Sequence, residues 1–116
     1  MAVENKQLIS GNYIGTTLAA YYTAPAGTTT VIDKFSVVNS SSSNQKFSAH
    51  IVVSGGSATN QNIIIVNRTV KPGEADLCPE LVGRVLETGS FISMVASAVS
   101  ALTAVASGRE VTSTSA

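Results

Sequence analysis

Apolar and polar residues alternate most clearly between Lys46 and Ser54. Every second side chain in this stretch is apolar, namely Phe47, Ala49, Ile51 and Val53. A two-residue period is typical of a β-strand with one buried face. His50 has the opposite parity, so we predict that it points away from the core.

Two further strands, Thr17–Thr23 and Thr30–Asn39, are predicted on either side of a tight turn. Pro25 presets the backbone for the first corner of that turn, and Gly27 can adopt the positive φ that follows. One parity of the second strand is apolar and is expected to face the core: Val31, Phe35 and Val37. Asp33 shares this parity, and a β-bulge or a strand end near it would resolve the conflict.

Five other segments complete the predicted strands. They are Ile63–Val70, Ala75–Leu77, Phe91–Ser97, Ala101–Ser107 and Gly108–Thr112. We expect Phe91–Ser97 and Ala101–Ser107 to form a hairpin, and Gly108–Thr112 to complete a last edge strand. Glu80–Leu86 is expected to be a loop or a brief helical turn. About seven or eight short strands, with turn signals about every 8–12 residues, predict an antiparallel β-sandwich or jelly roll.

Residues 1–17 show no strong period and are interpreted as an N-terminal arm. The β-sandwich domain is then predicted over residues 18–112, and residues 113–116 are expected to be a loose tail. The arm contains four apolar side chains: Leu8, Ile9, Tyr13 and Ile14. An arm that only extended into water would not need them, so we expect them to pack either against their own domain or against a neighbouring copy.

The composition is apolar but contains few charges. Of 116 residues, 44% are hydrophobic and 12% are charged, against about 25% charged residues in typical domains. Seven basic and seven acidic residues leave a formal net charge of zero. Neither nucleic acid nor an anionic membrane is therefore an expected partner. A neutral surface also opposes the close packing of identical copies only weakly.

Cys78 is the single cysteine, which excludes an internal disulfide and a cysteine-based metal site within one chain. A role as a small buried apolar residue is the simpler interpretation. Met1–Gly11 has neither the basic start nor the apolar run of an export signal. We therefore expect synthesis in the cytoplasm without such export.

No group of side chains in the sequence suggests catalysis. Glu74, Asp76 and Glu80 are close together, but the turn residues around them favour solvated loop positions over a glycosidase pair. His50 has no Cys, Asp or Glu within several residues, and no serine lies in a nucleophile elbow. The glycine-containing segment 55–62 lacks the Gly-Lys-Ser/Thr ending of a phosphate-binding loop. We expect no enzyme activity, no cofactor and no metal.

Six short motifs follow one another along the chain. They are Tyr22-Thr-Ala-Pro-Ala-Gly-Thr28, Val37-Val-Asn-Ser40, Lys71-Pro-Gly-Glu74, Pro79-Glu-Leu-Val-Gly83, Leu86-Glu-Thr-Gly89 and Ala106-Ser-Gly-Arg-Glu-Val111. Their succession resembles small β-sandwich virion proteins of tailed bacteriophages, over most of the chain from about Tyr21 to Thr112. Many proteins of this kind look like capsid decoration (cement) proteins or accessory components of the head and tail.

The resemblance implies a non-enzymatic protein on the surface of the phage head that binds the major capsid protein and stabilises the shell. It also implies a homo-oligomer, with a trimer favoured, made in the host cytoplasm. Modest contacts repeated over many copies can hold such a protein in place. The predicted contact residues are Leu8, Ile9, Tyr13, Ile14, Tyr21 and Tyr22. The alternatives are a tail, neck or fibre component and a carbohydrate-binding module.

Overall fold

A computed structural model describes residues 2–112, and the regular structure in this part of the chain is entirely β. Its strands are β1 (Ala2–Tyr13), β2 (Ala19–Thr23), β3 (Thr28–Asn39), β4 (Gln45–Val52), β5 (Ile63–Val70), β6 (Ala75–Asp76), β7 (Val85–Leu86), β8 (Phe91–Ala96) and β9 (Leu102–Thr112). The predicted all-β class is confirmed. The two strands that the sequence patterns did not predict are β1 and the two-residue β7.

The strands form two antiparallel sheets that pack face to face. Sheet A has the order β1-β9-β3-β6, with β7 also paired to β3, and sheet B has the order β2-β8-β4-β5. The pairs β1–β9, β2–β8, β3–β6 and β4–β5 are nested as in one long hairpin. A nested hairpin rolled into two layers is the topology of a jelly roll.

The N-terminal segment forms the edge strand of sheet A, and β1 pairs with β9 along its length. Leu8 and Gly11 are extra residues in β1 at two β-bulges, and Gly11 has a φ of 101°. Because each bulge shifts the alternation by one residue, the buried Leu8 and Ile9 are adjacent and the two-residue period is lost. Residues 2–13, interpreted from the sequence as part of an arm, are thus a strand of the sandwich in the structure. The predicted tail at residues 113–116 lies outside the described residues.

Of the two alternatives left open near Asp33, a β-bulge or a strand end, β3 has the bulge. The register between β3 and β9 shifts between Ile32 and Lys34. Phe35 is buried after the bulge as predicted, but before it the buried residue is Ile32 and not Val31. The prediction for Val31 was wrong because the bulge moves the buried parity by one position.

Strands β8 and β9 are consecutive in sequence but lie in different sheets. The predicted hairpin between Phe91–Ser97 and Ala101–Ser107 is therefore wrong. The chain crosses between the layers through a turn in which Ser100 adopts a φ of 53°. Residues 108–112 continue β9, which lies between β1 and β3, so they belong to a central strand and not to the predicted edge strand.

The hydrophobic core lies between the two sheets. Its largest fully buried side chains are Phe47, Ile9, Ile14, Ile32, Ile65, Leu81, Leu86, Ile92, Met94, Leu102, Val37 and Val52. Strand β4 supplies Phe47 and Ala49 to this core as predicted, and Ile51 packs against it. Val53 was also predicted to face the core but is 70% exposed, because β4 ends at Val52.

Candidate functional site

Four of the six predicted contact residues lie in or just after β1. Leu8, Ile9 and Ile14 are buried, with exposed fractions of 7%, 1% and 0%. They belong to the core of their own chain, which is the first of the two packing options that the sequence left open. Tyr13 is different, because 56% of it is exposed at the end of β1.

The other two predicted contact residues, Tyr21 and Tyr22, are half-buried at a register shift in β2. The Tyr21 hydroxyl accepts a hydrogen bond of 2.7 Å from the Gly15 N–H, which holds the connection between β1 and β2. The Tyr22 hydroxyl donates to Glu110 Oε2 at 2.5 Å and lies 2.7 Å from Thr30 Oγ1. Both phenols therefore make their polar contacts within the chain.

Glu110 is the centre of a polar network between the two sheets. It is 8% exposed, accepts the hydrogen bond from Tyr22 of sheet B, and lies 3.4 Å from Lys6 Nζ of sheet A. Burial, and then the hydrogen bond to Glu110, raise the pKa of Tyr22 from 10.0 to about 12. The phenol thus keeps its proton as a donor, and Lys6 balances the charge of the buried carboxylate.

A second polar cluster centres on Arg68 of β5. Arg68 Nη1 lies 2.8 Å from Glu80 Oε1 and 3.5 Å from Asp76 Oδ1, and Nη2 contacts Glu80 Oε2. The hydrogen bond from Arg68 is the main reason why the pKa of Glu80 falls to about 2. A glycosidase acid needs the opposite, a raised pKa. The cluster joins the edge of sheet B to β6 and the following loop. The role of Arg68 was not predicted, because its partners lie 8 and 12 positions further along the chain.

His50 is buried, although the sequence predicted a side chain pointing away from the core. It has the parity opposite to Phe47 and Ala49 as predicted, but only 5% of it is exposed. Ser93 of β8 and Ile63 of β5 flank it in the sheet. Its Nδ1 atom has no hydrogen-bond partner among residues 2–112. The burial of His50 among small and apolar neighbours could not be predicted from the alternation alone.

Cys78 is fully buried in the core, as its predicted apolar role requires. Burial raises the pKa of its thiol, so the reactive thiolate is disfavoured. Across residues 2–112 no three His, Cys, Asp or Glu side chains gather as a possible metal site. The described part of the chain also contains no helix with the length and apolar character needed to cross a membrane.

Two depressions have Asp33 of β3 in their lining. The larger, of about 500 Å³, is open and is lined by Asn5, Lys6, Gln7, Asp33, Ser107 and Gly108. The smaller, of about 330 Å³, is lined by Asp33, Lys34, Phe35, Leu77, Pro79 and Val82. Leu77 and Val82 are 67% and 41% exposed at its border. We call Leu77, Pro79 and Val82 the apolar rim, and such exposed apolar groups are typical of contact surfaces.

Two solved viral structures contain a chain with a similar fold. One is the structure of infectious bursal disease virus Gx strain, with a TM-score of 0.55 and 15% identity, covering 94% of this chain and 32% of that chain. The other is the crystal structure of the T13 viral particle of the same virus, with a TM-score of 0.54 and 10% identity, covering 96% of this chain and 31% of that chain. This chain therefore spans about a third of the viral chains that it matches, and identities this low show a shared fold alone.

A comparison with protein-family models finds no match, and a sequence comparison with curated proteins finds none either.

Proposed function

We propose that this chain is a non-enzymatic structural protein of a virion, and specifically a decoration (cement) protein that binds the outer surface of a tailed-phage head. The observation that carries the proposal is the jelly-roll fold, which the chain has in common with chains of two viral structures. Jelly rolls recur in viral capsid domains. The order of sequence motifs supports the narrower assignment to tailed phages.

The polar groups of the molecule support a structural role over an enzymatic one. The buried carboxylate of Glu110 accepts a hydrogen bond from Tyr22 and forms an ion pair with Lys6. The carboxylates of Asp76 and Glu80 are held by Arg68, and the depressed pKa of Glu80 makes it a poor proton donor near neutral pH. These groups tie strands together, which is a structural role.

The apolar rim is the surface that we assign to the contact with the head. The formal net charge is zero, so long-range attraction to a charged shell contributes little and apolar burial must supply the affinity. Leu77 and Val82 stand at the border of a depression that an apolar side chain of the major capsid protein can enter. A modest contact of this kind is strengthened when many copies bind one shell.

The test is binding of the purified protein to phage heads that lack it, measured by co-sedimentation. We expect the wild type to bind, and Leu77→Asp to bind at least about tenfold more weakly because a carboxylate must be desolvated in the contact. Val99→Asp is the matched control, because Val99 is 68% exposed in the turn before β9 and outside the apolar rim. Equal binding of both variants would contradict the contact surface. Absence of wild-type binding would contradict the decoration role.

A shell-forming subunit is the second candidate function. It is favoured by the fact that the two viral chains described above come from virus structures, one of which is a crystal structure of a viral particle. Electron microscopy of the purified chain alone separates the two functions. Closed particles would support the shell-forming role, whereas small species that bind only to preformed heads would support decoration.

A further inference from the structure

The outer edge of β1 has no partner strand among the described residues, because β1 is the last strand of sheet A. An unpaired edge presents backbone N–H and C=O groups that can hydrogen-bond another strand. Residues 2–7 keep a regular register with β9, and residues 3–7 are all exposed. The bulges at Leu8 and Gly11 bend the remainder of the strand, so residues 2–7 are the straight part of the edge.

Glu4 has an unfavourable electrostatic environment in the single chain. It lies directly opposite Glu110 in the register of β1 with β9, and like charges in that position are destabilising. Glu110 is already paired with Lys6, and Glu4 has no ion pair within residues 2–112. The Lys6 side chain remains 45% exposed and can accept a second carboxylate from outside.

We infer that β1 pairs in antiparallel fashion with β1 of a second copy, centred on Asn5, so that Glu4 of each copy faces Lys6 of the other. Sheet A then continues from one copy into the next. Glu4 and Lys6 lie on the same side of the strand, since they differ by two positions. The pairing therefore gives Glu4 the cationic neighbour that it lacks in the single chain.

Symmetry leaves few possible registers for such a pair. A twofold axis normal to the sheet places a given residue on the same face of the sheet in both copies. Directly opposed residues also share a face, so each residue must oppose one an even number of positions away. The axis therefore passes between two copies of the same residue. Centring on Glu4 or on Lys6 would place two identical charges directly opposite each other. Centring on Asn5 forms two Glu4–Lys6 pairs and sets two amide side chains face to face, where they can exchange hydrogen bonds.

The contact is small, so we expect association that depends on protein concentration and becomes stronger in a multivalent assembly. It is twofold and thus differs from the trimer that the sequence resemblance implies. The inference goes beyond the proposed function, which names only the contact with the head. Its test uses the purified protein without heads, so that failure of the pairing and failure of head binding are distinguishable.

Charge exchange followed by sedimentation velocity tests the pairing. The wild type is expected to shift from monomer to dimer with rising concentration. Glu4→Lys and Lys6→Glu are each expected to remain monomeric, because four like charges meet at the contact. An equimolar mixture of these two variants, or the double variant, should dimerise again. Glu87→Lys makes the same charge change as Glu4→Lys on an exposed turn and should behave as the wild type. A wild type that stays monomeric, or a dimer insensitive to these changes, would overturn the inference.

Cysteine cross-linking tests the register without changing any charge. Asn5→Cys is expected to form a disulfide between copies under mild oxidation, because directly opposed Cβ atoms lie about 5 Å apart. Val3→Cys is the control on the same strand face, since its counterpart would lie about 13 Å away along the strand. Cys78 is buried and does not take part. Equal cross-linking at both positions, or none with Asn5→Cys, would refute this register.

Discussion

At the scale of single residues, Glu110 determines how the two sheets are held together at the β2 side of the sandwich. Its carboxylate accepts a hydrogen bond from the Tyr22 hydroxyl of sheet B and forms an ion pair with Lys6 of sheet A. A buried charged group that loses a hydrogen-bond partner costs about 1–3 kcal/mol of stability. The network therefore contributes to the packing of the two layers as well as to charge balance.

Replacing Tyr22 with Phe tests this network through the pH dependence of stability. The Tyr22 pKa is about 12 in the folded chain against an ordinary value of 10.0, so the folded state holds the proton more tightly than the unfolded state. This contribution to the free energy of unfolding is fully present below pH 10 and is lost as the pH rises from 10 through 12. Tyr22→Phe should be less stable near neutral pH by about 1–3 kcal/mol and should show a shallower alkaline loss.

Urea unfolding at a series of alkaline pH values measures both effects. Tyr13→Phe is the control, because Tyr13 is 56% exposed and its hydroxyl makes no hydrogen bond within the described residues. This control should keep the alkaline slope of the wild type. The same slope for Tyr22→Phe would show that the network does not hold the Tyr22 proton.

Gly108 is required by the close approach of two backbones. A Cβ atom at this position would lie 2.1 Å from the Val31 carbonyl oxygen and 3.1 Å from Leu8 Cδ1. Because the strands would have to separate, Gly108→Ala is expected to lower the free energy of unfolding by about 3 kcal/mol. Gly15→Ala is the control, since its Cβ would meet only Tyr21 Oη at 3.7 Å, and it should change stability by less than about 1 kcal/mol. Chemical denaturation measures both, and similar stabilities would contradict the contact.

At the scale of elements, regular strands and turns were predictable and irregular ones were not. Residue parity predicted the strand at β4 and its buried Phe47 and Ala49, although His50 and Val52 on the other face are buried as well. Of the two alternatives at Asp33, a bulge or a strand end, β3 has the bulge.

The position of the turn after β2 was also predictable, and Gly27 has the predicted positive φ, at 70°. Pro25 was predicted at the first corner, but the Thr28 N–H donates to the Pro25 carbonyl at 3.1 Å, so the first corner is Ala26. Strand β1 was not predicted because its two bulges interrupt the two-residue alternation on which strand prediction depends.

Long-range pairing was the other part that the sequence could not supply. Alternation shows that β8 and β9 are strands but carries no information about which sheet each one joins. The partnership of Arg68 with Asp76 and Glu80 depends on the rolled topology, which brings β5 next to the loop after β6. Of the predicted contact residues, only Tyr13 is strongly exposed, because the buried fraction of an apolar residue depends on the same topology.

At the scale of the whole molecule, the two proposed contact surfaces lie on opposite edges of sheet A. The free strand β1 is at one edge, and the apolar rim lies beside β6 and β7 at the other. The molecule is elongated, with extents of 53 × 26 × 20 Å. One copy can therefore contact a head through the apolar rim while its β1 edge pairs with a neighbour, and the two contacts can be tested independently.

The location of the protein on the virion tests the central claim most directly. Virions of the tailed phage that the proposal implies as the source are purified, labelled with an antibody against this chain and imaged by electron microscopy. The decoration role predicts label spread evenly over the head. Label confined to the tail or neck would contradict that role while leaving a structural virion protein, and no label on intact virions would contradict a place on the virion surface.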